Sequence, residues 1–444
     1  MILVPSRLNG VLRVPSSKSI GHRMLICAAL SDGVSQLYNL SLSKDIEATI
    51  IALGQLGARF TQTFDDEGVE FWKIEGLNKN QIDKDLSEKE MDSDGSKINS
   101  SQLYKKIECN ESGSTLRFLI PVALSITDSV AFYGSGSLVL RPIDEYFPIF
   151  EQNEIHKTYN GKLPLYLNGQ LKNGEYQLSG SVSSQYTTGM LLAAPLLEGS
   201  TEISIIGEME SKAYIDLTIE SMKLFGVEVE RQGWKKFKIN QDQSYKPSIG
   251  SVEGDFSQAA FWIVAGLIGT EKITIYGLND NSAQGDKVII DLVLKMGGAL
   301  KWEGKSLVVD PSRTTGILID ASQCPDLIPV MCVLASLSEG ETKVINGKRL
   351  RLKESDRIKT TVCELKKLGA NIVETLDGMV IQGQQSLEGG CVINGSNDHR
   401  IVMAMAVAST RCKKPIEIEG HEAIDKSYPT FFEDFIRMGG NVIM

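Results

Sequence analysis

One pattern recurs six times along this chain of 444 residues: an Ala/Leu-rich helical segment, a turn, a short alternating strand, then Gly or Asn. The copies read RMLICAALSDGVSQLYN, PVALSITDSVAFYG, GMLLAAPLLEGSTEISIIG, FWIVAGLIGTEKITIYG, MCVLASLSEGETKVING and MAMAVASTRCKKPIEIEG. They close at Asn39, Gly134, Gly207, Gly277, Gly347 and Gly420, at intervals of 95, 73, 70, 70 and 73 residues. A second marker, a helix ending in Leu, Met or Phe before Gly, places Gly57, Gly226, Gly297, Gly369 and Gly439 where a helix C-cap needs a left-handed residue. From Gly226 onward these glycines keep the same period, 71, 72 and 70 residues apart. A period near 70 is longer than the usual solenoid repeats. It suits a small α/β unit of two helices and several strands, and six such units make two domains of three.

The long first interval has a visible cause. Residues 78–107 are polar, charged and almost free of apolar periodicity, and are expected to form a mobile surface insertion. Elsewhere the composition is that of an ordinary soluble globular protein, 42% hydrophobic and 23% charged. The balance of 46 Lys+Arg against 56 Asp+Glu leaves a net charge of −10. That argues against a general nucleic-acid or anionic-membrane binder, yet leaves room for a small anionic substrate held by a few cations. The longest apolar run, Ala259–Gly269, is about half of a bilayer span, and the N-terminus carries no secretory pattern. Seven scattered cysteines without a CxxC are expected to be reduced thiols, and a cytoplasmic location follows. Four histidines in no zinc spacing, and no phosphate-cradling GxxxxGK[ST] or GxGxxG after an expected strand, predict neither metal nor nucleotide cofactor.

Four polar segments interrupt the helix–strand pattern. Pro15–Arg23 brings Ser17, Lys18, Ser19 and Arg23 to the start of an apolar helix, where hydroxyls, backbone N–H groups and cations suit a phosphate or carboxylate. A plain capping role for Ser17 or Ser19 is the alternative. Glu111–Arg117 repeats the arrangement, with Gly113 allowing close approach of backbone to an anion. Ser181–Tyr186 places Ser183, Ser184 and Gln185 before a third such helix. The densest segment, Lys348–Arg357, sets Lys353, Glu354 and Arg357 at a strand-to-helix junction, with Glu354 and Arg357 expected on one helical face. A surface ion pair is the bland reading of that spacing, but Asn397-Asp398-His399-Arg400 occupies the matching junction one repeat later. Asp326 leads the helix of the preceding repeat, and Lys426 follows the last strand.

Ten motifs in order resemble the 5-enolpyruvylshikimate-3-phosphate synthases: PSSKSIGHR, ESGSTLRF, LRPI, SVSSQYTTGMLLAAPL, SKAYIDLT, VEGDFSQAAF, PDLIPV, LKESDRI, NDHRIVMA and DKSYPTFFEDF. The resemblance runs from Leu3 to about Arg437 and skips the insertion. It implies an α/β fold of two similar domains, each of three βαβαββ-type units forming an inside-out α/β barrel, with the active site in the interdomain cleft. The first domain would comprise residues 1–14 and 245–444, and the second residues 15–244. The implied reaction transfers the enolpyruvyl group of phosphoenolpyruvate to the 5-hydroxyl of shikimate 3-phosphate and releases phosphate, with no cofactor, metal, nucleic acid or membrane, by a monomer.

By the same resemblance, Lys18, Ser19, Arg23, Ser183, Ser184, Gln185, Ser211, Asp326 and Lys353 would hold shikimate 3-phosphate, with Tyr214 against its ring. Lys18, Gly113, Arg141, Gln185, Glu354, Arg357, His399, Arg400 and Lys426 would hold phosphoenolpyruvate. Asp326 would take the proton of the attacking hydroxyl, Glu354 would exchange protons at the methylene carbon, and Lys18 would touch both substrates. Three positions depart from the family pattern: Gly21-His22 stand for a Ser-Asn, Arg349 for an asparagine, and Glu111-Ser112-Gly113 for an Asn-Ala-Gly. The sister enolpyruvyl transferase acting on UDP-N-acetylglucosamine is the competing reading. It carries Lys-Asn where this chain has Lys18-Ser19, and uses a loop cysteine that Cys109 does not match in position.

Overall fold

The computed structural model describes residues 1–77 and 104–443. The chain divides into two compact units, one of Met1–Ser17 with Glu253–Met444, the other Lys18–Val252. Each contains three four-stranded sheets among the described residues, and all six share one pairing pattern, a parallel pair followed by two antiparallel ones. In the repeat that begins at Glu175–Ser179, the helix Ser184–Ala193 crosses to the parallel strand Thr201–Ile206. A second helix, Lys212–Leu224, then leads to the antiparallel strands Glu230–Gln232 and Lys236–Ile239. This is the βαβαββ unit that the 70-residue period implies.

The hydrophobic pattern decides what lies inside. All thirteen residues of Phe256–Ile268 and all eleven of His399–Ser409 are buried. A helix apolar on every face has to be surrounded by protein. In the first unit these two pack with Ile328–Ser336, and the strands lie outside with one face turned to solvent, as in the alternating burial of Glu341–Ile345. The second unit is built likewise, with Gly113–Leu124 against Ser184–Ala193 and Lys18–Ala29 against Lys212–Leu224. Helices inside and sheets outside make each unit an inside-out α/β assembly.

Two strand exchanges mark where the chain passes between units. Gly10–Arg13 precedes the helix Lys18–Ala29 in sequence, yet pairs with Ile273–Tyr276 of the first unit. Ile249–Ser251 precedes the helix Phe256–Ile268, yet pairs with Val34–Tyr38 of the second. The crossings fall at Ser17/Lys18 and Val252/Glu253, a few residues beyond the expected positions after residues 14 and 244. Ser16 bridges to Gly254 and the Ser17 N–H donates to the Glu253 carbonyl, which keeps residues 15–17 in the first unit. Pairing of residues 249–251 with 36–38 keeps residues 245–252 in the second. The sixth sheet is completed from the other end of the chain, because Ile2–Val4 inserts between Ile416–Glu419 and Asn441–Ile443.

The expected insertion is shorter than its composition suggests. Lys105–Glu108 is a strand paired in parallel with Ser129–Tyr133, since Ile107 supplies a fully buried side chain to that sheet. Residues 78–103 lie outside the described residues. The five marker glycines, Gly57, Gly226, Gly297, Gly369 and Gly439, all adopt left-handed φ between +82° and +117°. At Gly297 a Cβ would meet nothing nearer than the Arg313 carbonyl at 3.6 Å, so the obstacle there is backbone conformation alone. At Gly383 a Cβ would lie 1.5 Å from the Ser338 carbonyl oxygen. Gly297→Ala should therefore lower stability by about 1–2 kcal/mol, and Gly383→Ala by clearly more, because backbone has to move. Urea denaturation of both variants checks the order.

Candidate active site

In the second unit the chemistry gathers at helix N-termini. Lys18 opens its helix and its ammonium donates to Asp45 Oδ2 at 2.8 Å. Gly113 opens the next, capped by Ser112, whose hydroxyl accepts from the Thr115 N–H. Ser183 caps the third by accepting from the Gln185 N–H at 3.3 Å. A chain of hydrogen bonds locks two of these starts to the helix that carries Asp45. His22 Nδ1 meets Thr49 Oγ1 at 2.7 Å, Thr49 meets Thr115 Oγ1 at 2.6 Å, and Thr115 donates to Ser112 Oγ at 2.8 Å. Burial, then the charges of Lys18 and Arg23, hold the His22 imidazole well below its ordinary pKa and neutral. Gly21 is wedged against Leu40 and Ile46, where a Cβ would sit 3.0 and 3.1 Å away. The Gly21-His22 departure from the family pattern is thus an inward-facing, packed pair.

Arg23 is buried and donates to four acceptors of its own unit: Thr218 Oγ1, the Ser19 carbonyl, Thr188 Oγ1 and the Tyr214 carbonyl. Its guanidinium also lies over the rings of Phe118 and Tyr214, and burial pushes its pKa down to about 10. Arg23 thereby ties Ser19 to the turn carrying Ser211 and Tyr214. Ser211 is buried with a left-handed φ of +53°, a strained conformation of the kind that persists at functional sites. Gln185 is fixed at both ends, accepting from Arg117 Nη1 at 2.6 Å and donating to Ser114 Oγ at 3.0 Å. A Cβ on Gly113 would lie 2.8 Å from Arg141 Nη1, so absence of a side chain is what lets that cation approach the helix start.

In the first unit the residues converge more tightly. Asp326, in the turn before Ile328–Ser336, is contacted by Arg357 Nη1 at 2.6 Å, Arg400 Nη2 at 3.2 Å and Lys353 Nζ at 3.4 Å. Burial acts to raise its pKa, but Arg400, Lys353 and Arg357 outweigh it and hold the carboxyl well below the usual range. Lys353 is depressed by burial and by the charges of Arg357 and Arg349, against the pull of Asp326 and Glu354. Arg349 thus brings a further cation to the place where the family pattern has a neutral amide. Glu354 accepts from Arg357 Nη2 at 2.6 Å. The two do not share a helical face, because the helix begins at Arg357 with Asp356 as its cap, leaving Glu354 in the preceding turn. His399 and Arg400 open the helix capped by Asp398, and Lys426 Nζ donates to the Asn397 carbonyl at 2.9 Å. Ser396 and Asn397 both have left-handed φ, +51° and +52°, which turns the chain sharply into that cap.

Several partners carry no role in the sequence reading. Asp45, Arg117 and Asp398 each hold a candidate residue in place, and buried Asp286 lies near enough to Asp326 to feel its charge. Asp286 accepts from Ser257 Oγ, and its Oδ1 has no hydrogen-bond partner among the described residues. Burial, then the neighbouring Asp326 charge, pushes its carboxyl up to about 7, although Arg400 acts against this. Among the described residues no group of three or more His, Cys, Asp or Glu side chains is placed to hold a metal ion.

Cations interleaved with carboxylates at helix starts are an arrangement suited to small, multiply charged anions and to proton exchange with a carboxylate. The family model of EPSP synthase (3-phosphoshikimate 1-carboxyvinyltransferase) matches residues 3–435. Relatives named 3-phosphoshikimate 1-carboxyvinyltransferase from Clostridium kluyveri and Clostridium acetobutylicum are each 45% identical, over 441 and 440 residues, covering 99% of this chain and 97% of theirs. A solved EPSP synthase structure from Acinetobacter baumannii superposes with a TM-score of 0.77 at 25% identity, covering 100% of this chain and 99% of that one. The chain belongs to the EPSP synthase family.

The Asp286 shift has a definite sign. Between 3.8, the ordinary value, and about 7, the folded protein retains a proton that the unfolded chain has released. The corresponding stability is present below that window and is lost as pH rises through it. Asp286→Asn removes the ionisation, so its urea midpoint relative to wild type should increase from pH 5 to pH 8. A constant difference across that range would contradict the assignment.

Proposed function

We propose that this chain transfers the enolpyruvyl group of phosphoenolpyruvate to the 5-hydroxyl of shikimate 3-phosphate, releasing phosphate. The full-length match to relatives of that name carries the reading, and the cluster around Asp326 gives it a chemistry. Arg357, Arg400, Lys353, Lys426, Lys18 and Arg141 supply positive charge for two phosphorylated substrates and the departing phosphate. Asp326 is the base for the attacking hydroxyl, and Glu354 exchanges protons at the methylene carbon so that carbon 2 accepts the nucleophile. Ser19, Ser183, Ser184, Ser211 and Tyr214 hold shikimate 3-phosphate, with Arg23 tying Ser19 and Tyr214 together. Gln185, Gly113 and His399 complete the phosphoenolpyruvate side. The protein acts in the cytoplasm as a monomer. Free thiols at all seven cysteines, and the lack among the described residues of a helix long and apolar enough to cross a membrane, agree with that location.

Phosphate release should be rapid with phosphoenolpyruvate plus shikimate 3-phosphate and absent when UDP-N-acetylglucosamine replaces the latter. The reverse pattern would transfer the assignment to the sister enzyme. Asp326→Asn should cut turnover by about 10²–10⁴-fold with an unchanged far-ultraviolet circular dichroism spectrum; near-normal turnover would remove Asp326 from the base role. Gly113→Ala, by pressing on Arg141 Nη1, should raise the KM for phosphoenolpyruvate several-fold and leave the KM for shikimate 3-phosphate nearly unchanged.

A further inference from the structure

Arg357 is one of the largest fully buried side chains of the molecule, and its donors are divided between three carboxylates in a specific way. Nε donates to Asp398 Oδ2 at 2.8 Å and Nη2 to Asp398 Oδ1 at 3.2 Å, so Asp398 takes the side edge of the guanidinium. The end-on edge is bridged by the other two, Nη1 to Asp326 Oδ1 and Nη2 to Glu354 Oε2, both at 2.6 Å. An oxyanion that binds a guanidinium in bidentate fashion needs one whole edge. If Arg357 takes an oxyanion of phosphoenolpyruvate, as the functional reading above requires, the end-on edge becomes available only when Asp326 and Glu354 let go. Those are the two carboxylates that the same reading needs free to exchange protons.

Asp398 is placed differently. It is fully buried, and both oxygens are committed elsewhere as well: Oδ1 accepts from the Arg400 N–H at 3.0 Å and Oδ2 from Ser355 Oγ at 3.0 Å. It therefore belongs rigidly to the start of the helix His399–Ser409, which also carries Arg400. We infer that Asp398 is a positioning residue: it holds Arg357 by the edge that substrate does not use, so that an incoming oxyanion displaces Asp326 and Glu354 while the guanidinium stays in place. One exchange then loads the substrate and frees both carboxylates from Arg357, while Asp326 keeps Arg400 and Lys353 as neighbours. Without a fixed third partner, Arg357 would remain turned toward Asp326 and Glu354, and the substrate would have to supply the orientation itself.

Asp398→Asn tests this. The amide keeps an oxygen to accept from the Arg400 N–H, but sets an NH₂ against Arg357 Nε–H and Ser355. Wild-type phosphate release with both substrates is measured first and decides the functional reading independently. Given that activity, D398N should raise the KM for phosphoenolpyruvate at least tenfold, with the KM for shikimate 3-phosphate within twofold. Asp398→Glu keeps the charge but shifts it by one methylene. It should show the same split with a smaller rise, and serves as the deciding variant should D398N fail to fold. A phosphoenolpyruvate KM within twofold of wild type, or equal rises for both substrates, would overturn the positioning role.

Discussion

A helix buried on every side can carry polar chemistry only at its ends. That constraint organises this molecule. Phe256–Ile268, Ile328–Ser336 and His399–Ser409 leave no solvent-facing flank on which a charged side chain could sit. What remains are the N-terminal turns, with unpaired N–H groups and the positive end of the helix dipole. Asp326, Asp398, His399 and Arg400 all fall there, and Lys18, Gly113, Ser183 and Ser184 fall at the matching positions of the second unit. Repetition of one supersecondary unit thus multiplies an anion-binding helix start without requiring any single repeat to contain a whole site.

Concentrating cations at buried termini brings its own difficulty, since unpaired charge away from water is strongly unfavourable. The first unit resolves it by pairing. Arg357, Arg400 and Lys353 are matched by Asp326, Glu354 and Asp398 within one network. The second unit instead commits its buried arginines to neutral acceptors, as the four bonds of Arg23 to hydroxyls and carbonyls and those of Arg117 to Gln185 and the Pro142 carbonyl show. The two halves therefore differ in character. One is a cluster of matched cations and carboxylates, and the other is a hydroxyl-rich set of helix starts with Lys18 paired to Asp45. The net charge of −10 describes neither; it belongs to the exposed remainder.

Much of this is legible in the chain because it is local. The period, the left-handed glycines after helices and the hydroxyl or Asp caps before them depend on a few consecutive residues. Partnership across repeats does not. Asp398 is readable as a cap, but its hold on Arg357, 41 residues earlier, follows from how two helices pack. Asp45 sits 27 residues from Lys18 on a helix whose sequence shows only ordinary amphipathicity. The crossing points are displaced for the same reason. Ile249–Ser251 looks like the opening strand of the repeat it precedes, and nothing in its own residues states that it pairs with Val34–Tyr38 of the other unit. Glu354 departs from its expected helical face because Asp356, two residues beyond it, caps the helix.

The strand Ile2–Val4 lies between two strands drawn from residues 416–443. Within that sheet Leu3 is paired with both Ile416 and Val442, so the two ends of the described chain meet in one sheet. Loop-closure entropy has to be overcome before pairings of such sequence separation stabilise anything. The unit that carries Asp326, Arg357 and Arg400 therefore closes through the most distant stretches of its own sequence, and its ionic cluster depends on that closure.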